Sequence, residues 1–332
     1  MQAIYLGDRG PELRADYPGP EPGPEEALVR VLACGICGTD LELIKGYACF
    51  RGVLGHEFVG IVEEAAEGSW VGQRVVGTIN LGCRRCPACL GSGPEHCRER
   101  TVLGIVGKDG AFAEYLTLPL ANLLAVPGQV RDEEAVFTEP LAAALRIGER
   151  LAVPPSARAA VVGPGRLGLL IAQVLALSGT SVTVLGRRPE SLALPRRLGL
   201  AAGLGGEAPA DGFDLVVEAT GNQEGLAQAL RLVRPLGTLV LKSTFEGAAS
   251  LDLTPLVVKE VRVEGSRCGP FAPALSLLAR RQVEVLPLID AEYPLAEGLA
   301  ALEHAARPGV RKVLLRPAPA AGGAKPSAGG RS

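Results

Sequence analysis

Between Cys34 and Gly60 the chain reads C-G-I-C-G-T-D and then, after a short apolar and aromatic loop, G-H-E-F-V-G. A thiol, a hydroxyl, an imidazole and several carboxylates fall within these 27 residues of a chain that has only three histidines. Cys37, His56 and Glu57 form a soft, borderline and hard donor set. Such a set holds a catalytic zinc through three protein groups and leaves one position open. The bland alternative is a buried free thiol and a hydrogen-bonded loop histidine.

A second cluster, Cys83-x-x-Cys86-x-x-Cys89-x7-Cys97, lies among Arg84, Arg85, Pro87, Gly91, Gly93 and Pro94. Four thiolates so close in sequence can complete a tetrahedral shell from one loop. The loop has almost no apolar residues, so a structural zinc would replace a core as the thing that folds it. Unpaired thiols there would oxidise and pack against nothing. His96 is expected to be a loop residue, because four sulfurs already fill the site. Eight cysteines without a visible export signal argue for metal binding before disulfides. Cys34, Cys49 and Cys268 are expected to be small buried packing residues.

A third stretch has the chemistry of phosphate binding. Ala159–Val162 reads as a buried strand, followed by Gly163-Pro-Gly165-Arg-Leu-Gly168, an apolar helical run over Leu169–Leu177 and a second strand over Ser181–Leu185. Within such a βαβ unit the glycines allow a tight turn and bring a pyrophosphate to the helix amides. A dinucleotide is the expected ligand. The second strand ends in Gly186-Arg187-Arg188 and lacks the carboxylate that accepts from the ribose 2′-hydroxyl of NAD. Two guanidiniums suit a 2′-phosphate, which predicts NADP over NAD.

The elements that carry these residues follow from length and pattern. A chain of 332 residues exceeds what one core holds, so two domains are expected. To about Asp132, short valine-rich runs punctuated by glycine and proline read as twisted β-structure. A helix is expected from Asp132 to Leu151, with a break at Pro140 that turns Glu139 inward. Strands at 213–217, 237–241 and 261–265 continue a parallel, doubly wound sheet. Beyond Cys268 come a helix over Pro273–Arg280, a strand-like V-E-V-L-P-L-I, a helix over Leu295–Ala306 and a last strand over Val310–Leu315. The tail, residues 317–332, lacks apolar bulk and is expected to be disordered. A net charge of −2 and a pI near 6.1 offer no general attraction to nucleic acid or to acidic membranes. No apolar run is long enough for a membrane span and no secretory leader is visible, so a cytoplasmic location is expected.

With these parts placed, the chain resembles the zinc-containing medium-chain dehydrogenases/reductases, the alcohol dehydrogenase superfamily, over nearly all of its length except the tail. The resemblance rests on G-I-C-G-T-D, on G-H-E-x-x-G at 55–60, on the four-cysteine lobe, and on T-E-P-L-A, G-P-G-R-L-G and E-A-T-G. The E-P-L-A element is more similar to polyol, glucose and threonine dehydrogenases than to liver-type alcohol dehydrogenases, which have a cysteine there.

The resemblance implies an α/β protein. A GroES-like twisted β catalytic domain would comprise residues 1–150 and 269–316, with the zinc lobe at 83–97. A Rossmann domain with a doubly wound parallel sheet would comprise 151–268. Two zinc ions per chain are implied, a catalytic one on Cys37, His56, Glu57 and Glu139 and a structural one on Cys83, Cys86, Cys89 and Cys97. One carboxylate or a water would exchange as substrate arrives. Asp40 would orient His56, and Thr39 would pass the substrate proton. Gly163, Gly165, Arg166, Leu167, Gly168, Arg187, Arg188 and Thr220 would hold the cofactor, with Arg311 at its pyrophosphate. Two departures stand out. Glu42 occupies the place of a histidine in liver-type enzymes, and Gly38 replaces a cationic residue that often touches the cofactor phosphates.

The implied reaction is reversible oxidation of a secondary alcohol, polyol, sugar or amino-alcohol to a carbonyl, with hydride transfer to NADP rather than NAD. A homodimer or homotetramer is implied. The loop Gly46–Phe50 and the pair Ile79–Asn80 are expected to line the substrate pocket, with Asn80 favouring a polar substrate. A competing enzyme reading is an NADPH-dependent carbonyl or quinone reductase without catalytic zinc, which leaves Cys37, His56 and Glu139 without a joint purpose. A non-enzymatic nucleotide or redox sensor on the same fold is the third reading.

Overall fold

Apolar residues dominate both Glu26–Gly35 and Glu57–Ala65, and each stretch forms a long, mostly buried strand. The two pair antiparallel with Gly35 opposite Glu57. The computed structural model describes residues 1–244 and 251–318. These divide into two units, one made of Met1–Glu139 with the chain from Ile289 onward, the other of Pro140–Leu288.

In the first unit the two long strands are the middle of a seven-stranded sheet. Its order among the described residues is Leu123–Ala125, Arg74–Gly77, Glu57–Ala65, Glu26–Gly35, Lys312–Arg316 and Ile289–Pro294, with Tyr115–Pro119 also paired to Glu26–Gly35. The returning strand Lys312–Arg316 sets Leu314 opposite Gly35, so residues far apart in sequence meet at one end of the sheet. Val29, Val31, Val59, Leu118 and Leu314 are buried in its core. A small sheet of Asn80–Leu81, Thr101–Leu103 and Gly107–Lys108 brackets the four-cysteine loop.

The second unit has a six-stranded sheet, parallel throughout. Its order is Ala201–Leu204, Ser181–Gly186, Arg158–Val162, Phe213–Glu218, Val233–Leu241, Arg262–Gly265. From Arg158–Val162 the chain winds first to one side and then, at Phe213–Glu218, to the other. That reversal opens a crevice at the carboxyl ends of these two strands, where ligands bind in such sheets. Ala160, Val216, Leu230, Val233 and Leu239 form the core beside it. At the turn, Gly163 has φ +109°, and a Cβ on Gly168 would sit 2.0 Å from the Gly163 carbonyl oxygen. The first glycine supplies the backbone conformation and the second lets the helix Arg166–Leu177 start against the strand.

Several expectations change. The break expected at Pro140 falls earlier, between helices Asp132–Ala135 and Thr138–Arg150. Pro140 sits in the first turn of the second helix, where its missing N–H has no intrahelical partner to lose. The domain boundaries expected at 150/151 and 268/269 move to 139/140 and 288/289. The body of helix Thr138–Arg150 is tied to the parallel-sheet unit, since Lys242 Nζ donates to the Ala143 carbonyl at 2.6 Å and Gly269 packs on the Ala142 carbonyl. Gln173 likewise binds the backbone of Glu284 through both of its amide atoms. The strand expected within V-E-V-L-P-L-I starts only at Ile289, because Pro287 has no donor and the chain makes a 3-10 turn at Leu286–Leu288. Cys34 is buried as expected, whereas Cys49 is exposed and Cys268 half-buried, each in a turn at positive φ. The expected tail disorder concerns residues of which 319–332 lie outside those described.

Gly168→Ala should cost about 1–3 kcal/mol of stability, the typical cost of forcing extra volume into a closed site. Denaturant unfolding with an unchanged m-value would register it as a lower midpoint. An unchanged midpoint would show that the turn gives way freely.

Candidate active site and metal centres

The strand Glu26–Gly35 ends just before Cys37, and the helix Gly38–Ile44 begins just after it. The antiparallel partner Glu57–Ala65 starts at the same end of the sheet, with His56 immediately before it. Strand register therefore brings Cys37, His56 and Glu57 together, with one donor atom from each within 4.8 Å of the others. Asp40 ties the group into the helix start. Its Oδ2 accepts the Cys37 backbone N–H at 2.7 Å, and its Oδ1 lies 3.2 Å from His56 Nδ1. This is an ion-pair approach without hydrogen-bond geometry, since both atoms are buried with no hydrogen-bond partner, and it sets Nδ1 towards the carboxylate with Nε2 as the candidate donor to a metal. The Thr39 hydroxyl lies 3.9 Å from Cys37 Sγ.

Burial opposes a charge on His56, but Asp40 and Cys37 outweigh it and hold the imidazole pKa well above its usual value. The surroundings thus favour positive charge at this point. Glu57 Oε1 is buried without a hydrogen-bond partner. A buried, unpartnered carboxylate oxygen beside a thiol and an imidazole fits a divalent cation.

The other oxygen, Glu57 Oε2, accepts from the ammonium of Lys312, and both side chains are fully buried. Lys312 also donates to the Ile36 carbonyl at 3.4 Å and lies 5.5 Å from the centre of the Phe137 ring. Sequence reading missed this lysine. The available signal was a lysine leading the apolar run V-L-L at the start of the terminal strand, K-V-L-L. Glu139 is half-buried in the first turn of helix Thr138–Arg150 and is not one of the three residues gathered by their donor atoms. Glu42 accepts from Lys45 at 2.8 Å.

The sulfurs of Cys83, Cys86, Cys89 and Cys97 also lie within 4.8 Å of one another. Cys86 caps the helix Pro87–Gly91 by accepting the Cys89 N–H, and Cys97 Sγ accepts the Cys83 N–H at 3.5 Å. Backbone N–H groups of Arg85 and Cys86 pull the Cys83 thiol down to about 6, while desolvation and the neighbouring sulfurs push Cys89 up to about 12. Four clustered thiols cannot all ionise unless a cation shares their charge. Zinc meets that requirement.

In the second unit a cavity of about 500 Å³ opens at the glycine turn. Gly163, Gly165, Arg187, Thr220 and Glu224 are among its lining residues. A Cβ on Gly165 would meet nothing within 4 Å, which leaves the backbone there open to a phosphate. Buried Glu218 fixes the facing E-A-T-G turn by accepting from the Thr220 N–H and hydroxyl, each at 2.6 Å, and from the Gly221 N–H at 3.2 Å. Arg187 is on the rim, paired with Glu224, while Arg166, Leu167 and Arg188 are not among the lining residues. Arg311 belongs to the first unit and donates to Asp290 from both backbone and guanidinium.

Residues 23–128 match the family described as alcohol dehydrogenase GroES-like domain, and residues 167–280 match the zinc-binding dehydrogenase family. The L-galactonate-5-dehydrogenase of Escherichia coli K12 is 31% identical over 303 residues, 83% of this chain and 87% of its own. The sorbitol dehydrogenase of Halalkalibacterium halodurans is 30% identical over 326 residues, 91% and 94% of the two chains. A Sinorhizobium meliloti 1021 protein described as a zinc-binding dehydrogenase, solved bound to NADP, superposes with a TM-score of 0.86 at 32% identity. That alignment covers 95% of this chain and 99% of the other.

Lys312→Met should destabilise the protein by about 3–5 kcal/mol, because it leaves the Glu57 carboxylate buried and uncompensated. Lys312→Met with Glu57→Gln should recover most of the loss in denaturant unfolding. A single-variant loss below about 1 kcal/mol would place the pair among the weak surface-like bridges.

Proposed function

The chain belongs to the zinc-containing medium-chain dehydrogenase/reductase family, the alcohol dehydrogenase superfamily, and we propose that it oxidises a polyol, sugar acid or related secondary alcohol to a carbonyl, reversibly, with NADP as hydride acceptor. The observation that carries this reading is the Cys37–His56–Glu57 set, with the Thr39 hydroxyl beside the sulfur.

In this reading Cys37, His56 and a carboxylate hold the catalytic zinc. Glu57 is the carboxylate supported by its unpartnered oxygen, with Glu139 the candidate to exchange with it. The four-cysteine lobe holds the structural zinc. Zinc supplies Lewis-acid polarisation that makes the substrate hydroxyl acidic, and the nicotinamide supplies the hydride acceptor. The chain's own part is positional. Asp40 keeps the His56 ring oriented, and the Thr39 hydroxyl passes the substrate proton on, accepting it at Oγ1 as its own proton leaves towards solvent. Gly163 and Gly165 receive the pyrophosphate, Thr220 closes the facing side, and Arg187 with Arg188 favours a 2′-phosphate. Buried Asn80 supports a polar substrate.

No helix among the described residues is long and apolar enough to cross a membrane. A reducing, cytoplasmic setting is part of this reading, because it would keep the clustered thiols available as metal ligands. A homo-oligomer is supported by the edge strand Arg262–Gly265 together with exposed Leu253, Val257 and Val258.

Cys37→Ala should abolish turnover on a panel of polyols, sugar acids and amino-alcohols, and lower the zinc content from two ions per chain to one, with an unchanged far-ultraviolet spectrum. Full activity in that variant would overturn the mechanism. Val257→Asp with Val258→Asp should reduce the light-scattering mass from a multiple of the chain mass to that of one chain. An unaltered mass would move the interface elsewhere.

A further inference from the structure

A carboxylate from a different element stands beside Arg187, at the end of strand Ser181–Gly186 where the strand itself offers none. Glu224, in the first turn of helix Gln223–Leu232, lines the same cavity as Arg187. Its Oε2 lies 3.1 Å from Arg187 Nη1, with both side chains largely exposed at 79% and 78%. The helix start that carries Glu224 is fixed, since the Asn222 side chain accepts the Gly225 N–H at 2.9 Å. The rim therefore offers a guanidinium and a carboxylate at one point.

The two ribose substituents use this pair in opposite ways. A 2′-phosphate must draw Arg187 away from Glu224 and then sit beside a charge of its own sign. A 2′-hydroxyl leaves the pair intact and can donate to the carboxylate. We propose that Glu224 is a specificity-determining residue of the cofactor site, accepting from the ribose of NAD(H) and restraining Arg187 from NADP(H), so that the preference for NADP is graded rather than exclusive and NAD(H) also binds. The proposal rests on the dinucleotide reading of the cavity.

The test is direct titration of zinc-loaded full-length protein with NADPH and with NADH, followed by fluorescence at low ionic strength. Glu224→Gln should tighten NADPH by about fivefold, as expected when a like charge leaves a phosphate site, and weaken NADH by about threefold or more as the ribose loses its carboxylate acceptor. Arg187→Gln should weaken NADPH by about tenfold with NADH within about twofold, the loss of one charge-assisted contact. Raising the salt should shrink the Glu224→Gln effect, because the pair is exposed. If Arg187→Gln leaves NADPH binding unaltered, the reading of Arg187 as the phosphate partner fails and Glu224 falls with it. If Arg187→Gln discriminates while Glu224→Gln moves both cofactors equally or not at all, only the role of Glu224 is overturned.

Discussion

The ion pair between Lys312 and Glu57 joins positions 255 residues apart inside a fully buried space. Desolvating two charges costs several kcal/mol each, and their attraction offsets this only where geometry is fixed and remaining donors are satisfied. Here the geometry comes from strand register. Leu314 stands opposite Gly35, and Gly35 opposite Glu57. A one-residue slip of the last strand would turn Lys312 to the other face and strand the carboxylate. The pair thus penalises every wrong register among the central strand, the ligand-bearing strand and the returning strand. It makes the ligand group a consequence of the completed sheet.

The two candidate metal sites are built by opposite strategies. Cys83, Cys86, Cys89 and Cys97 lie within one loop, so their closure costs little chain entropy and needs no distant partner. Their weakness is electrostatic, since crowded thiols resist ionising until a cation arrives. Cys37 and His56 need a long antiparallel pairing, with Asp40 bridging helix and imidazole. That site is preorganised by backbone hydrogen bonds before any ligand binds. The first arrangement suits a metal that holds structure, the second a metal that must accept and release a substrate.

This division also explains what could be read from the sequence. Cysteine spacing, the glycine turn and the βαβ order are local patterns, and the thiol lobe, the crevice and the parallel sheet stand where those patterns put them. Lys312 and Glu224 matter through partners that arrive by tertiary register. A lysine in a terminal strand and a glutamate in a first helical turn look ordinary when read alone. The misplaced break at Pro140 has a different origin. The residue rule was sound, but proline is compatible with a first helical turn, and the chain had already turned at Val136 and Phe137. Likewise the unit boundaries moved because Lys242 and Gly269 hold helix Thr138–Arg150, contacts that no composition change announces.

Charge arithmetic at the first site then limits what can sit there. Asp40 and Glu57 bring two carboxylates into a fully buried space beside the half-buried Cys37 sulfur, and Lys312 pairs with one of them. A divalent cation held by the proposed ligands would meet the charge that Lys312 leaves unpaired. The same field acts on the imidazole, whose pKa Asp40 and Cys37 raise despite burial. Lys312 is therefore more than a counterweight for one carboxylate. Were it absent, Glu57 would bring its full charge to the proposed metal, and a site with excess negative charge polarises a bound hydroxyl less strongly. By holding one oxygen of Glu57, Lys312 would keep a zinc at the proposed ligands electrophilic enough to make an alcohol acidic.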